Sequence, residues 1–158
     1  MEYYKKLFRS FGYAFKGIYY TVKNERNMRI HITCLVYMFS ILGLTDWFTL
    51  ERSDWAILVI ASGCVLAAET INTAVENAVN LASEEYNRFA GIAKDAAAGA
   101  VLISAIFAVI TGIIIMLQPP AFASMFLYFK SNPLHFVIFL VSIIPATLFI
   151  FLPKRKKQ

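Results

Sequence analysis

The stretch "WAILVIASGCVLAAETINTAVENAVNLA", residues 55–82, decides the fold. Positions 55–68 are apolar or small apart from Ser62, and only then do Glu69, Asn72, Thr73, Glu76 and Asn80 enter. The run is long enough to cross the roughly 30 Å of bilayer hydrocarbon, which takes a helix of about 20 residues. The chain around it is 59% hydrophobic and 16% charged over 158 residues, where soluble domains carry about a quarter charged residues. Its mean hydropathy of +0.61 agrees. An all-α membrane protein forming one bundle is expected, with no room for a separate soluble catalytic domain.

Further apolar segments lie at roughly 30–48, 96–118 and 134–152. With residues 55–82 they make four spans, the last interrupted by Pro145, which membrane helices tolerate better than soluble ones. "TDWFTLERSDW" contributes Trp47 and Trp55 as interface markers on one side, and "SEEYNRFAGIAKD" is the polar connector on the other. Of the fifteen basic residues, thirteen fall on the side of the N-terminus, the second connector and the tail "PKRKKQ", leaving Arg52 and Lys130 opposite. The N-terminus is therefore expected in the cytoplasm, with an even number of spans. Nothing before residue 30 reads as a cleavable signal peptide. Cys34 and Cys64 read as small buried side chains.

Residues 4–23 form a different kind of helix. At 100° per residue, Tyr4, Phe8, Phe11, Phe15, Ile18, Tyr19 and Val22 share one arc, with Lys5, Lys6, Arg9, Lys16 and Lys23 on the other side. Such a helix lies in the membrane surface, and anchorage is its plainest role. Tyr13 falls among the basic residues instead of with the other rings, an arrangement that also suits a nucleotide base with phosphates nearby.

On the same wheel Glu69, Asn72, Thr73, Glu76 and Asn80 form one stripe. An acid at the centre of a span costs about 2.5 to 3.5 kcal/mol on insertion scales, so two carboxylates there imply a function. Glu69 and Glu76 stand about 10.5 Å apart along a helix axis, too far to share one ion. The deeper Glu69 suits a base acting on something arriving from lipid, and Glu76 a holder of a cation arriving from water. Lys94 and Asp95 open the third span, and the small residues 96–100 should let Lys94 approach the Glu76 end. Glu25, in "KNERNMR", is a third acid at that level. A base, a cation site and a lysine for phosphates are the parts of phosphoryl transfer. No G-x-x-x-x-G-K-[ST] loop is present, since "GYAFKGIYY" continues past its glycines without one.

"AAETINTAVENAVNLASEEYNRFAGIAKDAAAGAVLISAIFAVITG", with "FGYAFKG" and "NERNMRIH", closely resembles the small bacterial integral-membrane diacylglycerol kinase family, and its undecaprenol kinase branch most. The resemblance covers about residues 1–118. It implies a homotrimer of three-span subunits with active sites between subunits, which moves the γ-phosphate of MgATP onto a lipid hydroxyl. It implies Glu69 as catalytic base, with Asn72 beside it at the lipid substrate, and Glu25 and Glu76 as ligands of the magnesium that accompanies ATP. Tyr13, Glu85, Tyr86, Asn87, Lys94 and Asp95 resemble the nucleotide site, with Lys6, or its rival Arg9, on the phosphates. Asn80 stands where many members have aspartate and Asn87 where histidine is common, which touches ATP affinity and leaves base and metal ligands in place. Residues 119–158 have no counterpart in short members and form a second unit, an extra span with a basic tail.

The expectation is a lipid kinase of the bacterial plasma membrane acting on undecaprenol, with its site on the cytoplasmic side and no nucleic-acid partner. Diacylglycerol is the alternative substrate. The rival class is a non-enzymatic membrane protein or small cation carrier, which would need the polar stripe to continue through 55–68, where only Ser62 serves.

Overall fold

The computed structural model describes residues 2–82 and 87–152, and these form six helices with no strand among them. They are α1 (Glu2–Asn24), α2 (Arg26–Leu44), α3 (Arg52–Ala82), α4 (Arg88–Met116), α5 (Pro119–Ser131) and α6 (Pro133–Ile150). Four of them, α2, α3, α4 and α6, are long and apolar enough to cross a membrane. The chain is a multi-pass membrane protein.

Helix α1 is exposed on its aromatic and its basic face alike as far as Tyr20, with Tyr4 65% and Phe8 74% exposed, and meets the other helices only through its last turns. It ends at Asn24, and Glu25 alone, in extended backbone, separates it from α2. The span boundaries differ from the hydropathic ones for a simple reason. Hydropathy marks the part of a helix that belongs in hydrocarbon, whereas caps mark the helix itself. Helix α4 thus begins at Arg88, because the Asn87 side chain accepts from the backbone N–H groups of Phe89 and Ala90. Helix α3, at 31 residues, is about 46 Å long, more than the roughly 30 Å of bilayer hydrocarbon.

Helix α3 packs most extensively on α4, and also touches α1 and α2. The small residues 96–100 are not a tight seam within one chain: Ala96, Ala98 and Ala100 face outward, and a Cβ on Gly99 would meet nothing. Cys34 and Cys64, expected to be buried, are free thiols exposed on the outer faces of α2 and α3. In a bilayer those outer faces are the apolar ones, so a small apolar side chain need not turn inward.

Between the apolar runs 96–118 and 134–152 lies a further helix, α5. Pro119 and Pro120 occupy its first turn, where proline's missing N–H costs nothing. Gln118 caps the junction, its Nε2 donating to the carbonyls of Thr49 and Ile115 while its Oε1 accepts from Thr49 N, each at 3.0 Å. At 13 residues α5 is about 20 Å long, too short to span. It lies against the α2–α3 connector through Phe48 on Phe122 and Trp47 on Tyr128 and Phe129.

Helix α6 then returns along α2. It buries no residue of its own and is held at three places, the first being near its start, where Phe136 packs on Phe129 of α5. Midway, the Tyr37 and Ser142 hydroxyls meet at 2.8 Å, with Phe139 edge-on to the Tyr37 ring. At its end lies Arg29, only 2% exposed. The guanidinium donates to the carbonyls of Val22 and Lys23 at the end of α1, and of Ile150 and Leu152 at the end of α6, over 2.9–3.2 Å. Helix C-termini leave carbonyls unpaired and carry partial negative charge, which is what a buried five-donor cation needs. The last span therefore ends at the level of the α1–α2 break.

Candidate active site between α2, α3 and α4

Glu69 is 1% exposed. Its Oε1 has no hydrogen-bond partner within bonding distance and lies 3.5 Å from His31 Nε2 of α2. Thr73, equally buried, returns its hydroxyl to the Glu69 carbonyl at 2.9 Å and so adds no donor to the carboxylate. His31, a quarter exposed at its side chain, is the accessible member of the pair.

One turn on, Asn72 Nδ2 donates to Glu76 Oε1 at 3.2 Å, while Asn72 Oδ1 is buried without a partner. Asn77 receives the Tyr20 hydroxyl at 3.3 Å, which brings the end of α1 against this part of α3. At the tip Lys94 Nζ donates to Asn80 Oδ1 at 2.7 Å. The expected approach of Lys94 to the Glu76 end of the stripe is met.

The remaining candidates stand apart within one chain. Tyr13 is exposed, with Lys16 Nζ 5.9 Å from its ring centroid, and Lys6 is 4.0 Å from Glu2 on the same helix. Measured along α1 from Tyr20, which touches α3, Tyr13 is about 10 Å and Lys6 about 21 Å away. Arg9, the rival of Lys6, lies on the same exposed stretch. Asp95 faces outward, and Asn87 serves as the cap of α4. Glu85 and Tyr86 lie outside the described residues.

Carboxylate and amide oxygens are the donors that a small hard cation takes. Glu25, at the α1–α2 break, and Glu76 are half-buried carboxylates, and the unpartnered Asn72 Oδ1 is a third oxygen. Magnesium beside phosphates asks for only one or two carboxylates. Among the described residues no three His, Cys, Asp or Glu side chains gather into a closed metal cage. Ser62 spends its hydroxyl on the Leu58 carbonyl at 2.6 Å, so the polar stripe stops at Glu69 on the deep side.

His31 was not marked by the sequence reading. A lone histidine between Ile30 and Ile32 has no visible partner until two helices are placed together. Its depth, one turn into a span that lies beside an acidic one, was the available signal.

The model of the prokaryotic diacylglycerol kinase family matches residues 12–116. The chain belongs to that family, and with it to the lipid kinases. It is 41% identical over 111 residues to a diacylglycerol kinase of Synechocystis, covering 70% of this chain and 62% of that protein, so it spans less than two thirds of that relative's length. It is 35% identical over 114 residues to the undecaprenol kinase of Bacillus subtilis, covering 71% and 89%. Against the diacylglycerol kinase of Escherichia coli K12 the identity is 28% over 113 residues, covering 72% and 90%. All three alignments are shorter than the chain by about the length of α5, α6 and the tail.

Proposed function

We propose that the protein moves the γ-phosphate of MgATP onto the hydroxyl of undecaprenol, giving undecaprenyl phosphate and ADP. The observation that carries this reading is Glu69: a carboxylate buried within a span, with one oxygen uncommitted, two helical turns from a second carboxylate at the water side. Glu69 takes the hydroxyl proton as the lipid oxygen attacks the γ-phosphorus. The new O–P bond forms while the bond to the β–γ bridging oxygen breaks, and ADP leaves with that oxygen. His31 orients the carboxylate, and Asn72 lies between the two acids.

Glu25 and Glu76 are the residues that would hold magnesium, which when bound neutralises charge on the phosphates. Lys94 adds a positive charge at the mouth, with Asp95, Asn87, Tyr86 and Glu85 around the nucleotide. Tyr13 and Lys6 are too far along α1 to join the site of their own chain, which supports a homotrimer in which a neighbour supplies them. The bacterial plasma membrane is the location, with the N-terminus and the site on the cytoplasmic side, where ATP is available. The distribution of basic residues supports that orientation.

Undecaprenol is favoured by the wording "NERNMRIH" and by the likeness to the Bacillus subtilis enzyme along most of its length. Diacylglycerol is the second reading, favoured by the higher identity to the Synechocystis protein. Purified protein given labelled ATP and each lipid in mixed micelles decides between them. A higher kcat/KM for undecaprenol is expected, and a clear preference for diacylglycerol would overturn the choice.

A further inference from the structure

Two grooves run along α2. The first, about 410 Å³, lies between α2 and α3 and includes Ile32, Val36, Val59, Gly63 and Leu66. Its upper end is set by Leu66, one turn before Glu69, and by Ile32, next to His31. The second, about 1260 Å³, lies between α2 and the α5–α6 pair and includes Tyr37, Leu44, Phe129, Phe139 and Ala146. Ile32 and Val36 line both grooves, so the two are separated only by one ridge of α2.

The larger groove stays open because α6 is held at its two ends and once between them, by Arg29, by the aromatic cluster around Phe129 and by the Tyr37–Ser142 bond. Its polar atoms are largely spent: Thr33 bonds the Arg29 carbonyl, Thr45 that of Ile41, and Tyr37 bonds Ser142. Among the described residues Lys130 is the one charged residue on its wall. A head group would find little to bond there, whereas a hydrocarbon chain needs no partner. From Ile32 to Thr45 the wall is about 20 Å long.

We infer that the groove between α2 and α5–α6 holds the distal isoprenoid tail of the lipid alcohol whose hydroxyl lies at Glu69. This rests on the kinase reading above. A short tail ends in the α2–α3 groove, and a long one crosses the ridge at Val36 and runs down against α6. Helices α5 and α6 thus act in selecting substrates by tail length. Bilayer lipid is as apolar as the groove, so the gain comes from packing alone and is modest.

Ala146→Trp fills the groove, and Ile144→Trp, on the outward face of α6, is the control. In the full chain, Ala146→Trp should raise KM for undecaprenol about 3- to 10-fold with kcat unchanged and with KM for farnesol unaffected, whereas Ile144→Trp should alter neither. Equal effects on both alcohols, or none on either, would overturn the inference. A second measurement does not depend on turnover. A polyprenol with a diazirine at its far end, photolysed with the purified protein, should label residues 125–149, and Ala146→Trp should shift that label. Label spread over the outer faces of α3 and α4, or equal labelling of the groove by a diazirine phosphatidylcholine, would sink the tail site. Absence of phosphorylation with any lipid alcohol would remove the kinase reading instead, leaving the labelling to decide the groove.

Discussion

His31 Nε2 of α2 lies 3.5 Å from Glu69 Oε1 of α3, and Glu69 has no other partner for that oxygen. A buried carboxylate without donors has a poorly defined direction, and closure of the imidazole onto Oε1 would fix where the other oxygen points. Glu69→Gln keeps the shape and removes the base. Turnover should fall by at least about 10²-fold, the usual range for a general base, with the oligomer unchanged in size-exclusion chromatography. Full activity in this variant would exclude Glu69 as the base.

His31→Gln tests the orienting role separately. It keeps a polar side chain near Glu69 and removes the ring. We expect kcat to fall about tenfold with KM for ATP unchanged, because the nucleotide end of the stripe is two turns away. A rise in KM for ATP with kcat intact would place His31 outside the proton-transfer step.

Asn72 and Glu76 should separate from Glu69 by phenotype. In the proposed site Glu76→Gln removes one of two carboxylates offered to the cation, so the magnesium concentration for half-maximal rate should rise several-fold and saturating magnesium should restore part of the rate. An unchanged magnesium curve would leave Glu76 as an internal acceptor for Asn72 only.

The parts of this arrangement legible in the sequence are those that lie on one helix. The stripe from Glu69 to Asn80 follows from period 3.6 alone, whereas the meeting of Lys94 with Asn80 joins two helices and was expected from a small-residue run, 96–100, of which Ala96, Ala98 and Ala100 face outward. What was not legible involves groups brought together from distant segments. Arg29 reads as one more cytoplasmic charge until α1 stops at Asn24 and α6 returns 121 residues later to present the Ile150 carbonyl. His31 is silent for the same reason. Helix α5 was hidden by its prolines, which mark a break in most contexts and a first turn in this one, where Gln118 caps the preceding junction.

Arg29→Met keeps an apolar stem of similar length and leaves four carbonyls without their donor. A loss of about 2 to 4 kcal/mol is expected, as for removal of a buried charged donor, seen as a lower Tm in detergent and faster proteolysis near residue 150. Activity should fall less than stability, since no bond of Arg29 reaches the Glu69 pair. A variant with native Tm would show that α6 is held by Tyr37, Ser142 and the aromatic cluster alone.

Lys94 donates to a neutral amide, Asn80, so its whole charge remains available to an incoming phosphate. Lys94→Met should therefore raise KM for ATP at least tenfold, with a smaller effect on KM for the lipid, because the lipid hydroxyl is handled three turns deeper. Asn80→Asp tests the same point from the other side. The new carboxylate would form an ion pair with Lys94 at the present 2.7 Å and partly cancel its field. KM for ATP should then rise about two- to fivefold at low ionic strength, less as salt screens the pair. If Asn80→Asp instead lowers KM for ATP, the role of residue 80 is to fix the position of the lysine rather than to preserve its charge.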